Sequence, residues 1–209
     1  MTERIYYDHP YETEFDATVV RVEPRGADQA VWLDRSCFYP TSGGQPFDTG
    51  RLDDLAVTDV RDEDGDVVHI VSGGPVEPGS TIHGGIDWPR RFDYMQQHTG
   101  QHLLSAAFVR AVDVPTVSVH LGAEVSTIDL AREVTAVEMA EAEAAANRAI
   151  WENRPITITY ADAEAAAARG LRKASARTGT LRLIEISQFD LSACGGTHLA
   201  STGALGSVA

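Results

Sequence analysis

The sequence predicts an α+β protein of two domains, a small antiparallel β-barrel or sandwich over residues 1–85 and an α+β domain over residues 86–209. Two observations support this division. Short apolar runs separated by turn residues fill the first part, and helical periodicity begins only near Asp87. With 209 residues the chain is long enough to bury a core without disulfide bridges.

The first part contains five segments that are typical of strands, at 15–23, 29–34, 55–60, 66–71 and 80–87. Turn residues divide them, among them Pro24-Arg25-Gly26, Asp64-Gly65 and Pro78-Gly79. The stretch from Glu63 to Asp66 predicts a hairpin turn. We therefore expect five or six antiparallel strands.

The second part opens with a helix. Asp87 is a suitable N-cap, Pro89 suits the first turn, and apolar residues then recur at helical spacing. A hairpin is predicted from 114–120 and 125–130, and Thr135 with Glu138 forms a capping-box pattern before a helix over 136–153. Beyond it we expect a strand at 155–160, a helix at 162–169 and a strand at 180–186.

The composition is strongly acidic, with 31 Asp and Glu against 17 Lys and Arg, a formal charge of −14, and Lys173 as the only lysine. Such a surface repels phosphate backbones, unless high salt screens the repulsion. We therefore expect a halophilic source. No stretch is long and apolar enough to span a bilayer, and two distant cysteines suit a reducing cytoplasm.

Two pairs of residues suggest a zinc site. His98 and His102 stand four residues apart on the first predicted helix, so both can face one metal ion. Cys194 and His198 flank two glycines, whose permissive backbone allows a tight loop to turn both donors inward. His and Cys are ordinary Zn²⁺ ligands. Four protein ligands would also suit a purely structural zinc, which remains an alternative.

The segments His98-Thr-Gly-Gln-His102 and Cys194-Gly-Gly-Thr-His198, together with the glycine-rich stretch Phe38 to Gln45, resemble the editing domain of alanyl-tRNA synthetases and the freestanding AlaX proteins. The resemblance implies an N-terminal β-barrel and a two-layer domain with helices packed on an antiparallel sheet. It also implies a zinc-dependent deacylase that acts in trans on mischarged tRNA(Ala), carrying serine or glycine. We expect a monomer or weak homo-oligomer in the cytoplasm.

Further site residues follow from this comparison and from their positions. Gln101 and His120 are the candidate catalytic residues, and the candidate substrate contacts are Thr99, Thr116, Ser118, Gly43 and Gly44. Alternation places Thr116, Ser118 and His120 on one face of a strand, although a plain solvent-facing stripe would look the same. Basic candidates for RNA contact are Arg90, Arg91, Arg169, Arg172, Lys173 and Arg177.

Two other functions fit the same sequence. A zinc hydrolase of another small ester would keep the metal site and make tRNA irrelevant. A non-catalytic module, in which zinc stabilises a surface that binds tRNA or a synthetase, would need no turnover. The chain has no second large domain for amino-acid activation, so we do not expect a synthetase.

Overall fold

The computed structural model describes residues 1–122, 125–174 and 178–209. It is an α+β protein whose larger sheets are antiparallel, which confirms the predicted class. Two compact units divide the chain, Met1–Tyr94 and Met95–Ala209.

The first unit is built from eight strands among its residues, all of which are described: β1 Glu3–Arg4, β2 Glu14–Arg25, β3 Asp28–Leu33, β4 Arg35–Ser36, β5 Gly50–Leu52, β6 Leu55–Glu63, β7 Asp66–Ser72 and β8 Thr81–Ile86. β1 and β4 form a short parallel pair. The other six close into an antiparallel barrel in the order β2-β3-β7-β6-β5-β8. The five predicted segments correspond to β2, β3, β6, β7 and β8, and β5 completes the circle.

The barrel core comes from alternate residues along the strands, which face inward, such as Phe15, Ala17 and Val19 of β2. The predicted hairpin turn joins β6 to β7, with Glu63 paired to Asp66. Asp64 and Gly65 have φ angles of 54° and 88°, as a tight hairpin turn requires, and Asp and Gly tolerate this conformation better than other residues.

The second unit combines three helices and five strands in the described ranges: α1 Trp88–Val112, which begins in the first unit, β9 Thr116–His120, β10 Thr127–Leu130, α2 Ala136–Trp151, β11 Ile156–Asp162, α3 Ala163–Ala168, β12 Thr180–Ile186 and β13 Asp190–Ala193. The capping box of Thr135 and Glu138 opens α2 as predicted. The predicted hairpin is β9 and β10, although 123–124 of its connection lie outside the described residues. None of the described helices has the length and apolar character needed to cross a membrane.

The core of the second unit lies between its helices and one sheet. β11, β12 and β13 form an antiparallel sheet in that order. Leu103 and Phe108 of α1 and Ala146 and Ile150 of α2 pack in one buried cluster with Ile186 of β12. This packing holds α1, the helix that carries two of the predicted metal ligands, in a fixed orientation within the unit.

The division between the units falls after Tyr94, whereas the sequence suggested a boundary at residues 85 and 86. The first two turns of α1 explain the difference. The Arg91 guanidinium is buried and pairs with the buried carboxylate of Asp48, with Nε 3.1 Å from both carboxylate oxygens. A buried ion pair ties these turns to the first unit, because either charge alone would be costly to bury.

His69 of β7 is a wholly buried imidazole in the first unit. Its Nδ1 lies 3.1 Å from the carbonyl oxygen of Val31, and its Nε2 lies 2.8 Å from Oγ of Ser36. Nδ1–H therefore donates to Val31 and Nε2 accepts from Ser36, which is an arrangement of the neutral ring. Burial lowers the pKa of His69 to about 4.

We expect acid to destabilise the protein through His69. The pKa rises from about 4 to its ordinary value near 6.5 on unfolding, so the neutral ring stabilises fully above pH 6.5 and loses this contribution as the pH falls toward 4. Wild type should lose about 2 kcal/mol more unfolding free energy than His69→Gln between pH 7 and pH 4.5 in urea titrations. The exposed control His9→Gln should follow wild type, and parallel curves for His69→Gln would contradict the assignment.

Candidate metal centre

The first two ligand candidates lie on one face of α1. His98 and His102 are one helical turn apart, and the centroids of their rings are separated by 5.2 Å. Both rings are buried, since the same part of α1 packs into the core of the second unit. The helix therefore places these two side chains next to each other, as the sequence predicts.

The other two candidates lie on the loop that follows β13. The Arg182 guanidinium of β12 shapes this loop, because its Nη1 donates to the carbonyl oxygens of Cys194 at 2.8 Å and Gly196 at 2.9 Å. The backbone N–H of Gly196 donates to Sγ of Cys194 at 3.3 Å. Arg182 was not predicted as a site residue, and its role depends on a strand pairing that the sequence does not reveal.

All four predicted donors come together. One ligand atom from each of His98, His102, Cys194 and His198 lies within 4.8 Å of the others, and this group could bind a metal ion. Sγ of Cys194 is 3.4 Å from Nε2 of His98 and 3.4 Å from Nε2 of His198. A tetrahedral ion with bonds of about 2.0 Å to nitrogen and 2.3 Å to sulfur requires a separation of about 3.5 Å. The donors therefore fit an ion of the size of Zn²⁺.

The protonation states that the site favours are those of metal ligands. Burial lowers the pKa of His98 to about 4, with a further contribution from Arg182. Burial and the neighbouring His98 and His102 lower the pKa of His198 well below its usual value. Burial raises the pKa of Cys194, but hydrogen bonding to His102 and the N–H of Gly196 outweighs it and brings the pKa below normal. Neutral imidazoles beside a thiolate are the forms that bind metals.

Two buried polar side chains stand behind the imidazoles. Oγ1 of Thr99 is 3.2 Å from Nδ1 of His198 and accepts the backbone N–H of Leu199 at 3.0 Å. These contacts favour a role for Thr99 in orienting His198 rather than the predicted contact with substrate. Asp190 lies behind His102, with Oδ2 3.5 Å from Nδ1. The sequence carried one signal for Asp190: strand alternation puts it on the same face as Ser192, two residues before Cys194.

Comparisons with known proteins show the family to which this chain belongs. A family model described as tRNA synthetases class II (A) matches residues 5–90. The alanyl-tRNA editing protein AlaX-M of Methanosarcina acetivorans is 34% identical over 229 residues, covering 97% of this chain and 89% of that protein. The chain belongs to the alanyl-tRNA editing protein family. AlaX-L of Pyrococcus horikoshii is 33% identical over 99% of this chain and 53% of its own length.

Synthetases contain a similar region. The alanine–tRNA ligase of Thermococcus kodakarensis is 36% identical over 220 residues, which cover 99% of this chain and 24% of the ligase. The chain thus spans about a quarter of the length of the ligases it matches. The similarity to editing proteins and to a part of the ligases covers both units of this editing-family chain.

Two of the other predicted residues of this family member share a partner. Nε2 of Gln101 and Oγ1 of Thr116 both donate to Oγ of the buried Ser105, each at 2.8 Å. Ser105 was not predicted, although its position one turn after Gln101 on α1 could have suggested it. Gln101 also lines a cavity of about 360 Å³ with Gln97 and Leu104.

The remaining polar candidates on β9 are exposed. His120 pairs with Thr127 across the hairpin, and among the described residues no hydrogen bond or ion pair joins it to the four donors. Ser118 hydrogen-bonds to Asp129. Gly43 and Gly44 lie in the first unit, with φ angles of 57° and 87°, in a turn closed by a bridge between Ser42 and Gln45. Their contact with substrate stays a prediction.

The residues predicted to contact RNA differ in how much of their side chain is exposed. Arg91 is wholly buried on Asp48, so its prediction as an RNA-binding residue is wrong: a guanidinium without exposed surface cannot meet a phosphate. Arg90 is half-buried, and its Nε donates to the carbonyl oxygen of Phe47. Arg172 is turned onto Asp190, and Lys173 is exposed. Arg177 lies outside the described residues.

A cavity of about 490 Å³ in the second unit gathers three arginines, Arg110, Arg169 and Arg172. Arg110 is exposed, and its Nε donates to the carbonyl oxygen of Phe189 at 2.7 Å. Arg169 donates to Glu185 at 2.8 Å. With Glu185 and Asp190 as the acidic residues of its lining, the cavity has a local excess of positive charge.

We expect the four donors to hold one zinc ion per chain. Cys194→Ala should weaken zinc binding by on the order of 100-fold or more, because it removes the thiolate that the three imidazoles surround. Competition with a chromogenic chelator measures this affinity. The matched control is Cys37→Ala, since Cys37 is the other free cysteine and is buried in the barrel core. Equal zinc affinity in wild type and Cys194→Ala would exclude the site.

Proposed function

We propose that this chain is a trans-editing hydrolase that deacylates mischarged tRNA(Ala), with serine as the main amino acid removed and glycine as a second. One observation carries the proposal. The two segments that distinguish the sequence, His98 to His102 and Cys194 to His198, converge on a single four-donor group in a chain of the editing family.

Zinc is the metal that we propose for this site, on the grounds of three imidazoles, one thiolate and tetrahedral spacing. Bound zinc would polarise the ester carbonyl or lower the pKa of water toward about 7. The chain's own residues would hold the ion, exclude bulk water from His98 and His198, and lower the pKa of the Cys194 thiol below its usual value.

We propose that three hydrogen-bonded side chains, those of Gln101, Ser105 and Thr116, lie where the aminoacyl ester binds. Gln101 is held by Ser105, which Thr116 of β9 also contacts, so the Gln101 amide has a restricted orientation. A fixed amide can position a hydroxyl or amino group of the bound aminoacyl ester better than a free one. His120 remains a proposal for catalysis, and Ser118, Gly43 and Gly44 remain proposals for substrate contact.

For tRNA we propose contact through Arg110 and Arg169, which line one cavity of the second unit, with exposed Lys173 and with Arg90 as further candidates. A formal charge of −14 opposes RNA binding at low ionic strength. We propose a cytoplasm of high salt, where the Debye length of about 3 Å at 1 M confines that repulsion to short range.

A structural zinc is the second candidate, and one observation favours it. The four donors are enough to complete a tetrahedron, and the three imidazoles are buried. In that case the chain would bind tRNA or a synthetase without turnover. Removing the metal would then unfold the second unit, and no hydrolysis would be lost.

The decisive assay follows release of amino acid from tRNA(Ala) charged with serine, glycine or alanine, in high-salt buffer. We expect wild type to release serine fastest and alanine slowest. The double variant Cys194→Ala, His198→Ala should be at least about 100-fold slower, because metal chemistry is lost. Gln101→Ala should lose activity while still binding zinc, which a structural metal does not predict. Equal slow release in all samples would contradict the hydrolase.

The tRNA surface is tested by removing charge from the cavity. Arg110→Ala with Arg169→Ala should weaken tRNA binding and lower the slope of log affinity against log salt by about one to two. The control is Arg21→Ala with Arg61→Ala, two exposed arginines of the barrel unit that lose the same charge. Fluorescence anisotropy over a salt series measures both, and equal slopes for the two double variants would contradict the proposed surface.

A further inference from the structure

A buried carboxylate, Asp190, faces the back of one of the metal-site imidazoles. Nδ1 of His102 is buried and has no partner at full hydrogen-bonding geometry within the described residues, and Oδ2 of Asp190 lies 3.5 Å from it. The Asp190 side chain is almost wholly buried. A carboxylate in such a position is expensive to bury unless neighbouring groups stabilise its charge.

Two neighbours hold Asp190 in place. Nε of Arg172 lies 2.7 Å from Oδ1, and Oγ of Ser192 donates to Oδ2 at 2.9 Å. Nη2 of Arg172 also donates to Oγ of Ser192 at 3.0 Å, which closes a small network. The backbone N–H of Arg172 donates to the carbonyl oxygen of Leu191, so the arginine is anchored to β13 itself. Arg172 therefore fixes Oδ1, and Ser192 fixes Oδ2, the carboxylate oxygen that lies 3.5 Å from Nδ1 of His102.

We propose that Asp190 is a positioning residue for the metal site, which orients His102 by accepting its Nδ1–H and thereby leaves Nε2 for the ion, while Arg172 and Ser192 fix Asp190. The inference rests on the metal role proposed above. It also gives Arg172 a different function from the RNA contact expected from the sequence, because its guanidinium is committed to Asp190 and Ser192.

Two imidazoles of the site differ in the group that lies next to Nδ1. His198 has the neutral hydroxyl of Thr99 at its Nδ1, whereas His102 has a carboxylate. A charged acceptor forms the stronger hydrogen bond, and a carboxylate behind a ligating imidazole raises the basicity of the ring. Loss of the Asp190 charge should therefore weaken metal binding more than loss of the Thr99 hydroxyl.

The test compares Asp190→Asn with two matched variants. Thr99→Val removes the neutral partner of His198. Asp48→Asn breaks the other buried Asp–Arg pair, in the barrel unit, with the same change of charge. We expect Asp190→Asn to lower zinc affinity by about 10- to 100-fold in chelator competition. Thr99→Val should lower it less, and Asp48→Asn should stay within about 3-fold of wild type.

A spectroscopic measurement separates positioning from general destabilisation. With Co²⁺ in place of zinc, the visible absorption bands report the ligands directly, and we expect them to shift in Asp190→Asn but not in Asp48→Asn. If Asp190→Asn does not fold, long-range proton–nitrogen spectra of zinc-loaded wild type decide instead, with the proton expected on Nδ1 of His102. A proton on Nε2, or a zinc affinity of Asp190→Asn equal to that of Asp48→Asn, would overturn the proposal.

The two proposals fail in different ways. Wild-type protein that binds zinc tightly but releases no amino acid from mischarged tRNA would contradict the hydrolase, and the affinities would still decide the role of Asp190. Full deacylation by wild type, together with unchanged zinc affinity in Asp190→Asn, would overturn the positioning role alone.

Discussion

The convergence of one helix and one loop on four donor atoms is the constraint on which the candidate site depends. α1 brings two imidazoles, and the loop after β13 brings a thiolate and a third imidazole. Neither segment could hold the donors alone. The helix is fixed by apolar packing of Leu103 and Phe108, whereas the loop is fixed by hydrogen bonds from Arg182 to its carbonyl oxygens. Apolar packing thus fixes one side of the site and hydrogen bonds fix the other, and both sides belong to the second unit.

Buried polar groups surround this site in pairs that satisfy one another. Arg182 meets carbonyl oxygens, Arg172 meets Asp190, and Thr99 meets His198. A buried polar group without a partner costs free energy. Each of these contacts therefore restricts the position of the side chain or loop that it touches. The same logic applies in the barrel unit, where Asp48 and Arg91 are both wholly buried. Burying charge is a demanding way to fix geometry, and the part of the chain that the structure describes uses it at both Asp48 and Asp190.

Much of the fold and the four donors could be predicted, because periodicity and short spacing are visible in one sequence. The strands β2, β3, β6, β7 and β8 alternate clearly, and the capping box marks α2. What could not be predicted depends on pairing between distant segments. β5 is too short to show a period, and the alternation in β13 puts Asp190 on the face of Ser192 without showing that this face lies beside His102. Arg91 was placed among RNA contacts because a positive charge in a sequence carries no information about burial, and Gly43 and Gly44 lie in the first unit, where their role stays a prediction.

The acidity of the chain is compatible with the proposed binding of RNA, because repulsion by the net charge and direct contacts act over different distances. Repulsion by a net charge of −14 acts over the Debye length, which falls from about 10 Å at 0.1 M salt to about 3 Å at 1 M. Direct contacts such as that of Arg169 with Glu185, at 2.8 Å, are no longer than this, and a guanidinium–phosphate contact would be of similar length. High salt therefore removes the long-range penalty more than it weakens a fitted contact. Arg110 and Arg169, which line one cavity, are the residues through which the proposed RNA binding would then act despite the acidic composition of the chain.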